Sequence, residues 1–393
     1  MTTNWVVKAI IVLILFKPTT SWANDIYISQ SGDNIDMTIV QDGENNVISS
    51  VAGNTRKAPI SGNNTNTTFT QTGDNNDIGV YMSAGNGQQT VTQTGNTNYA
   101  TSDCHGNNCS TTITQYGNNN LANLEFGNGG DYDQTGTITQ DGDYNAAGIE
   151  ANGDDNTFVI DQDGDNNAVG GITGAPITGN NNSLSITQNG DYMTFEGHLI
   201  GSNNSLTSFQ GGSANNSFIR VSTVGSNNTG DLRQGKRLDG NVDNNDSGNH
   251  AQYITVVGDG NTVNTSQVNS NGANSDHHMA HIITGDSNTL SHEQFANNKK
   301  QGYIEITGDS NTVSLQQRNG ANHLADINLT GDDHTVTGTQ WGQGGAHNFT
   351  VDLTNSGGAY NMSTTQTSNT AQTYSLTGSC ATVGGCAVSV FQN

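Results

Sequence analysis

The residue best placed to do chemistry in this 393-residue chain is a glutamine that keeps returning. It stands at Gln71, Gln93, Gln115, Gln140, Gln162, Gln188, Gln210, Gln234, Gln267, Gln294, Gln317, Gln340, Gln366 and Gln392, in steps of 22 to 27 residues with one of 33; Gln41 is an earlier member. A side-chain amide offers two donors and one acceptor oxygen. Buried alone it is costly, because its hydrogen bonds to water are not replaced. In a column of identical amides each bonds the one above and the one below, as in stacked sheets. The chemistry to expect is a ladder that sets register, since a slipped strand leaves amides unpaired.

A second amide accompanies the first. Gly lies two residues after the glutamine at Gly43, Gly73, Gly95, Gly117, Gly142 and Gly164, and Asn three further on at Asn46, Asn76, Asn98, Asn120, Asn145 and Asn167. Nine residues before the glutamine Gly recurs, followed three later by Asn156, Asn182, Asn204, Asn228, Asn261, Asn288 and Asn311. Gly-x-x-Asn thus occurs twice per repeat, 11 residues apart. This predicts two similar half-turns and an asparagine ladder beside the glutamine one. Gly and Asn both accept the positive φ that a tight turn demands.

Other reactive side chains are few. Cys104 and Cys109 flank one turn and Cys380 and Cys386 another, so two local disulfides, Cys104–Cys109 and Cys380–Cys386, are expected of an exported chain. A zinc site built from all four fails, because the pairs lie about 12 coils apart. His277, His278 and His281 crowd "SDHHMAH" and are the weak metal candidates; an irregular loop is the preferred account of them. Asp follows the turn Gly at Asp74, Asp165, Asp286 and Asp309, either as turn chemistry or as stacked carboxylates for a cation. Serine-hydrolase, phosphate-loop and zinc-protease motifs are missing, and the carboxylates are periodic. No catalytic residue, cofactor or enzymatic activity is expected.

The elements that must position the amides are strands. Phe158/Ile160/Gln162, Leu184/Ile186/Gln188 and Val313/Leu315/Gln317 alternate with polar residues, which is a strand with one buried face. The other half-turn is weaker but similar: Ile78/Val80, Ala122/Leu124, Ala147/Ile149 and Ser217/Ile219. Strand, turn, strand, turn makes one coil of a β-solenoid. The fold expected is all-β, a flat two-sheet solenoid with two strands per coil and about 14 to 15 coils. Three insertions, near 47–61, 170–178 and 236–250, read as loops at one edge.

Composition narrows the setting. Charged residues are 12% and aromatic residues 6%, too few for an ordinary core, and the net charge is −24. Such an acidic surface repels nucleic acid and anionic membrane. Residues 1–23 read as a signal peptide: Lys8, the apolar run "AIIVLILF" (9–16), then "SWA" (21–23). The run is too short to span a bilayer, and no later segment is apolar enough. Cleavage after Ala23 removes Lys8, Lys17 and no acid, taking the charge from −24 to −26. The repeat domain then covers 24–393.

"TITQDGDYNAA" (137–147) and "TVTQTGNTNYA" (90–100) resemble curlin repeats almost residue for residue. The likeness runs over nearly the whole chain after residue 23, is strongest over 62–220 and weakens after Gln234. Curlins are secreted subunits of curli, the amyloid fibres of bacterial biofilm. The resemblance implies a secreted, non-enzymatic subunit at the surface or in the matrix of a Gram-negative bacterium. It implies self-assembly end to end, with other curlin-like subunits and an outer-membrane secretion or nucleation system as partners, and neither nucleic-acid binding nor membrane insertion. Curlins carry a further Gln 11 residues after the first; here that place holds Met82, Cys104, Phe126, Ala151, Thr173, Leu199 and Val221, so mixed packing replaces one ladder. The curlin Gly-rich export tail is missing from "IYISQSGDN" (26–34). Open strand edges at both ends, the last of them "AVSVFQN" (387–393), would carry the glutamine column from subunit to subunit. Stacked Asp would restrain this, so salt or acid should quicken it. Two other functions fit the same solenoid. One is ice binding through Thr68-x-Thr70, Thr90-x-Thr92, Thr112-x-Thr114 and Thr137-x-Thr139; the other is a monomeric surface adhesin.

Overall fold

A computed structural model describes residues 24–26, 31, 33–49, 60–80, 82, 85–102, 108–126, 133–170, 176–212, 216–241, 248–269, 276–319, 322–352, 358–378, 380 and 385–393. Residues 1–23, read as a signal peptide, lie outside them, as do most of the 47–61 insertion and parts of the other two. The chain forms two compact units, Met1–Leu184 and Ser185–Asn393. Among the described residues every element is a strand, and each unit is a two-sheet β-solenoid.

In the first unit the glutamine strands are Asp36–Asp42, Asn66–Thr72, Gln88–Thr94, Ser110–Tyr116, Thr135–Asp141 and Thr157–Asp163. Each pairs in parallel with the next coil, and glutamine faces glutamine in every pair. Alternation does this: Phe69, Val91, Ile113, Ile138 and Ile160 fill the core two residues before their glutamines, and the intervening threonines such as Thr68, Thr70, Thr90 and Thr92 face outward. The facing sheet is broken into short strands such as Val47–Ser49, Asp77–Gly79 and Leu121–Ala122. Its inward residues Ile78, Leu124 and Ile149 are nonetheless buried. The place of the missing second curlin glutamine is likewise apolar and buried at Met82, Phe126 and Ala151, with Phe126 stacked on Phe158 at 5.9 Å.

In the second unit the glutamine strands run from Ser183–Asn189, which begins at the unit boundary, to Cys386–Gln392. The facing sheet is now regular, with strands such as Thr194–Ile200, Phe218–Val224, Ala251–Val257, His278–Thr284 and Lys300–Thr307. Register survives the longest repeat, since Gln234 faces Gln267 despite a step of 33 residues. The described part of that insertion does not hang free at an edge. Ser266 Oγ donates to the Lys236 carbonyl (2.8 Å), and Arg237 covers the Phe295 ring at 4.6 Å while pairing with Glu293 at 3.3 Å. Glu293 is also bound by Arg318 at 2.8 Å. The insertion is thus pinned over the outer face of the glutamine sheet, where it buries Ser266 and Glu293.

Close stacking explains the turn glycines. At Gly225, φ is +131° and a Cβ would lie 2.0 Å from the carbonyl oxygen of Gly258 in the next coil. A side chain there meets backbone that cannot move aside without breaking the coil-to-coil hydrogen bonds.

Candidate functional site

The glutamine side chains point inward and join successive coils. In the first unit Gln41 Nε2 donates to Gln71 Oε1 (2.7 Å), Gln71 to Gln93 (3.0 Å), Gln93 to Gln115 (2.9 Å), Gln115 to Gln140 (2.8 Å) and Gln140 to Gln162 (2.8 Å). In the second unit the column runs Gln188, Gln210, Gln234, Gln267, Gln294, Gln317, Gln340, Gln366, Gln392, with distances of 2.7 to 3.1 Å. The second N–H of each amide crosses the core. Gln93 donates to the Asp77 carbonyl, Gln115 to Tyr99, Gln162 to Ala146, Gln267 to Ala251 and Gln317 to Gln301. One side chain therefore bonds coil to coil and sheet to sheet, and both its donors are used.

The asparagines form columns of another kind. Each Oδ1 accepts the backbone N–H of the asparagine one coil on: Asn76 onto Asn46, Asn98 onto Asn76, Asn120 onto Asn98, at 3.0 Å. Each Nδ2 reaches the turn-glycine carbonyl of the next coil, as Asn98 does to Gly117 at 2.8 Å. The column nine before the glutamine does the same. Asn182 N–H donates to Asn156 in the first unit, and Asn228 to Asn204, Asn261 to Asn228, Asn288 to Asn261 and Asn311 to Asn288 in the second. The motif asparagine is not the residue with positive φ, which corrects the reading from sequence. That residue precedes it, at Asn75, Thr97, Asn119 and Tyr144. The motif asparagine is conserved in place along the chain because its buried amide closes the turn.

The second unit alters the other column. Where the first unit has Asn46, Asn76, Asn98, Asn120, Asn145 and Asn167 at the start of facing-sheet strands, the second has Met193 and Ser217 and then His250, His277, Lys300, His323 and His347, all buried. His334 likewise follows Asn311 in the other column, taking the Tyr360 N–H on Nδ1 (3.0 Å). Of the suggested metal candidates, His277 and His281 are buried and His278 lies on the outward side of its strand, so the three do not converge. Counting from the glutamine hides this column, because insertions fall between the two. Counting back eight residues from Gly258, Gly285, Gly308 and Gly331 finds it at His250, His277, Lys300 and His323.

The turn Asp side chains accept backbone N–H groups across coils: Asp259 takes Ser226, Asp286 takes Asp259 and Asp309 takes Asp286, at 2.6 to 2.8 Å. On the outer face of the first unit, burial first and then Asp163 and Asp141 push the Asp161 carboxyl above its usual range. Cys380 and Cys386 are joined; Cys109 is disulfide-bonded, and Cys104, its expected partner, lies outside the described residues.

Two kinds of strand leave this ladder open. Among the described residues, Asp36–Asp42 and Cys386–Gln392 each have a glutamine-strand neighbour on one side only. Among the described residues, the buried Gln41 Oε1 has no hydrogen-bond partner. Residues 133–164 and 153–190 match the curlin associated repeat. No curated protein matches the chain significantly.

Proposed function

We propose that this chain, which carries curlin-associated repeats, is a secreted structural subunit that adds end to end to copies of itself, building amyloid-like fibres at a bacterial surface or in a biofilm matrix. The repeat family and the solenoid favour a structural protein over an enzyme. The observation that carries the reading is the open valence at Gln41. Its Oε1 corresponds to the acceptor that Gln71, Gln93, Gln115, Gln140 and Gln162 each have filled from the preceding coil. A neighbouring subunit offering a glutamine Nε2, as Gln392 would, completes the column. An uncapped strand edge templates further strands. Other curlin-like subunits and an outer-membrane secretion or nucleation system are the partners this reading calls for, with residues 1–23 as the export signal.

Electron microscopy of the purified chain over hours, with thioflavin T and fibre diffraction, tests it. Fibres with a meridional reflection near 4.8 Å are the expected result; a dispersed monomer without either signal contradicts it and favours a capped adhesin. Ice binding has one observation of its own. Thr68, Thr90, Thr112 and Thr137 stand in register on four coils, as do Thr70, Thr92, Thr114 and Thr139, all facing outward. Thermal hysteresis decides it: fibres without hysteresis leave assembly alone standing.

A further inference from the structure

The second unit replaces an asparagine column with groups that titrate. His250 and His277 stack at 4.9 Å between ring centroids, and His323 and His347 at 5.0 Å, with planes within 9° and 2° of parallel. Lys300 lies between the two pairs, fully buried, its Nζ donating to the carbonyls of Asn297 and Asn298. The rings do the work of asparagine oxygens. His250 Nδ1 accepts the His277 N–H (3.3 Å), His277 Nδ1 the Lys300 N–H (3.2 Å) and His323 Nδ1 the His347 N–H (3.3 Å). A neutral imidazole has one acceptor nitrogen; an imidazolium has none. A proton on Nδ1 of His250, His277 or His323 therefore costs a backbone hydrogen bond as well as burying a cation beside another titrating group. A further buried pair, His281 and His292, faces across the core at 5.2 Å, and neither nitrogen of His281 has a hydrogen-bond partner.

We propose that the second unit opens in mild acid, through this buried histidine–lysine column and the His281–His292 pair, while the asparagine-laddered first unit does not. The inference concerns the unit itself and stands whether or not the chain forms fibres.

The groups acting on the column are mostly one another. Burial first, then His250 and Lys300, hold His277 well below the ordinary histidine range against the carbonyls of Val268 and Ala296. Burial, then Lys300, bring His323 down to about 3 against the Arg318 carbonyl, with His347 adding to the fall. Burial lowers His347 against the carbonyls of Trp341 and Ser368. Burial, then His292, push His281 well down, with His278 adding, and burial takes His292 to about 4 against its bond to Gln317. Burial alone brings Lys300 to about 7. The nearby carboxylates are engaged elsewhere: Glu293 between Arg237 and Arg318, Asp276 on the Asn249 N–H. Asp326 faces outward. In the open chain histidine titrates near 6.5. Below that pH the open state binds more protons than the closed one, so stability falls as pH falls until the folded values are reached. Lys300 acts in the same sense over a higher window, from its open-chain 10.5 down to about 7.

Amide hydrogen exchange of the full chain, corrected for intrinsic rates at each pH, separates the two units. Between pH 7 and pH 5, above the ordinary carboxylate range, protection in 251–257, 278–284 and 323–328 should fall about tenfold or more. Protection in 66–72, 88–94 and 110–116 should hold within about twofold. A variant with His250→Asn, His277→Asn, His323→Asn and His347→Asn restores the side chain used in the first unit and should lose much of the difference; His323→Asn alone should lose part. Equal protection of the second unit at both pH values overturns the proposal, as does parallel loss in both units. Undiminished acid sensitivity in a folded asparagine variant overturns the column's role. Should the fourfold variant not fold, the wild-type pH arm and His323→Asn decide alone.

Discussion

A single anchor amide makes three hydrogen bonds at once, which makes its replacement informative. Gln115 accepts from Gln93 and donates to Gln140 and to the Tyr99 carbonyl. Gln115→Leu keeps the volume and strands all three partners, at about 2 to 4 kcal/mol. Gln115→Glu keeps the acceptor but buries a charge, so its carboxyl will sit above the open-chain value of about 4.3. The folded state then holds the proton more tightly, and stability is lost as pH rises past that value. The prediction is that denaturant melts find Gln115→Glu weaker than Gln115→Leu at pH 7, with the gap closing toward pH 5. The same logic makes His334 replaceable. His334→Asn should cost less than about 1 kcal/mol, because Asn makes these bonds one coil earlier, whereas His334→Leu leaves the Tyr360 N–H unpaired and costs about 1 to 3 kcal/mol.

At the scale of an element, the coil is fixed by how closely its turns stack. Gly225→Ala should destabilise by more than about 2 kcal/mol, being strained in φ and blocked by the Gly258 carbonyl; Gly148→Ala, with no atom within 4 Å of its Cβ, should be neutral or slightly stabilising by thermal melting. The glutamine strands were legible in the sequence because strict alternation and a fixed-offset Gln leave one register that buries both. Phe158, Ile160 and Gln162 show it within a single strand. The asparagine's task was half legible: its place was visible, but Asn76 looks from sequence like the residue that takes positive φ, when Asn75 does. The histidine column was missed for a geometric reason. Insertions separate the glutamine from the facing strand, so a fixed offset from Gln234 does not reach His250. His277, His278 and His281 then read as a loop cluster rather than as a ladder rung, an outward residue and a core residue. The short facing strands of the first unit, such as Leu121–Ala122, were equally hard to bound, since burial of Leu124 continues beyond the hydrogen-bonded pairs.

For the molecule as a whole, the account joins two opposing terms: open edges that recruit strands, and an acidic chain of net charge −24 that holds copies apart. Carboxylate pairs such as Asp141 and Asp163, in register on neighbouring coils, place that repulsion on the outer face. Raising the salt from 10 to 150 mM shortens the screening length from about 30 to about 8 Å. The lag before thioflavin-T fluorescence should shorten accordingly at constant pH. Acid has a divided effect, relieving carboxylate repulsion while loading the histidines of the second unit, so salt is the cleaner variable. The central claim is that buried amides continue from one subunit into the next, and seeded elongation with Gln41→Leu tests it most directly. This variant keeps the inner ladder from Gln71 to Gln162 but removes the unpartnered acceptor at the first glutamine strand. The account predicts a chain that folds like wild type by circular dichroism and elongates wild-type seeds at least about tenfold more slowly, the worth of roughly one buried hydrogen bond at the junction. Elongation at the wild-type rate would contradict it.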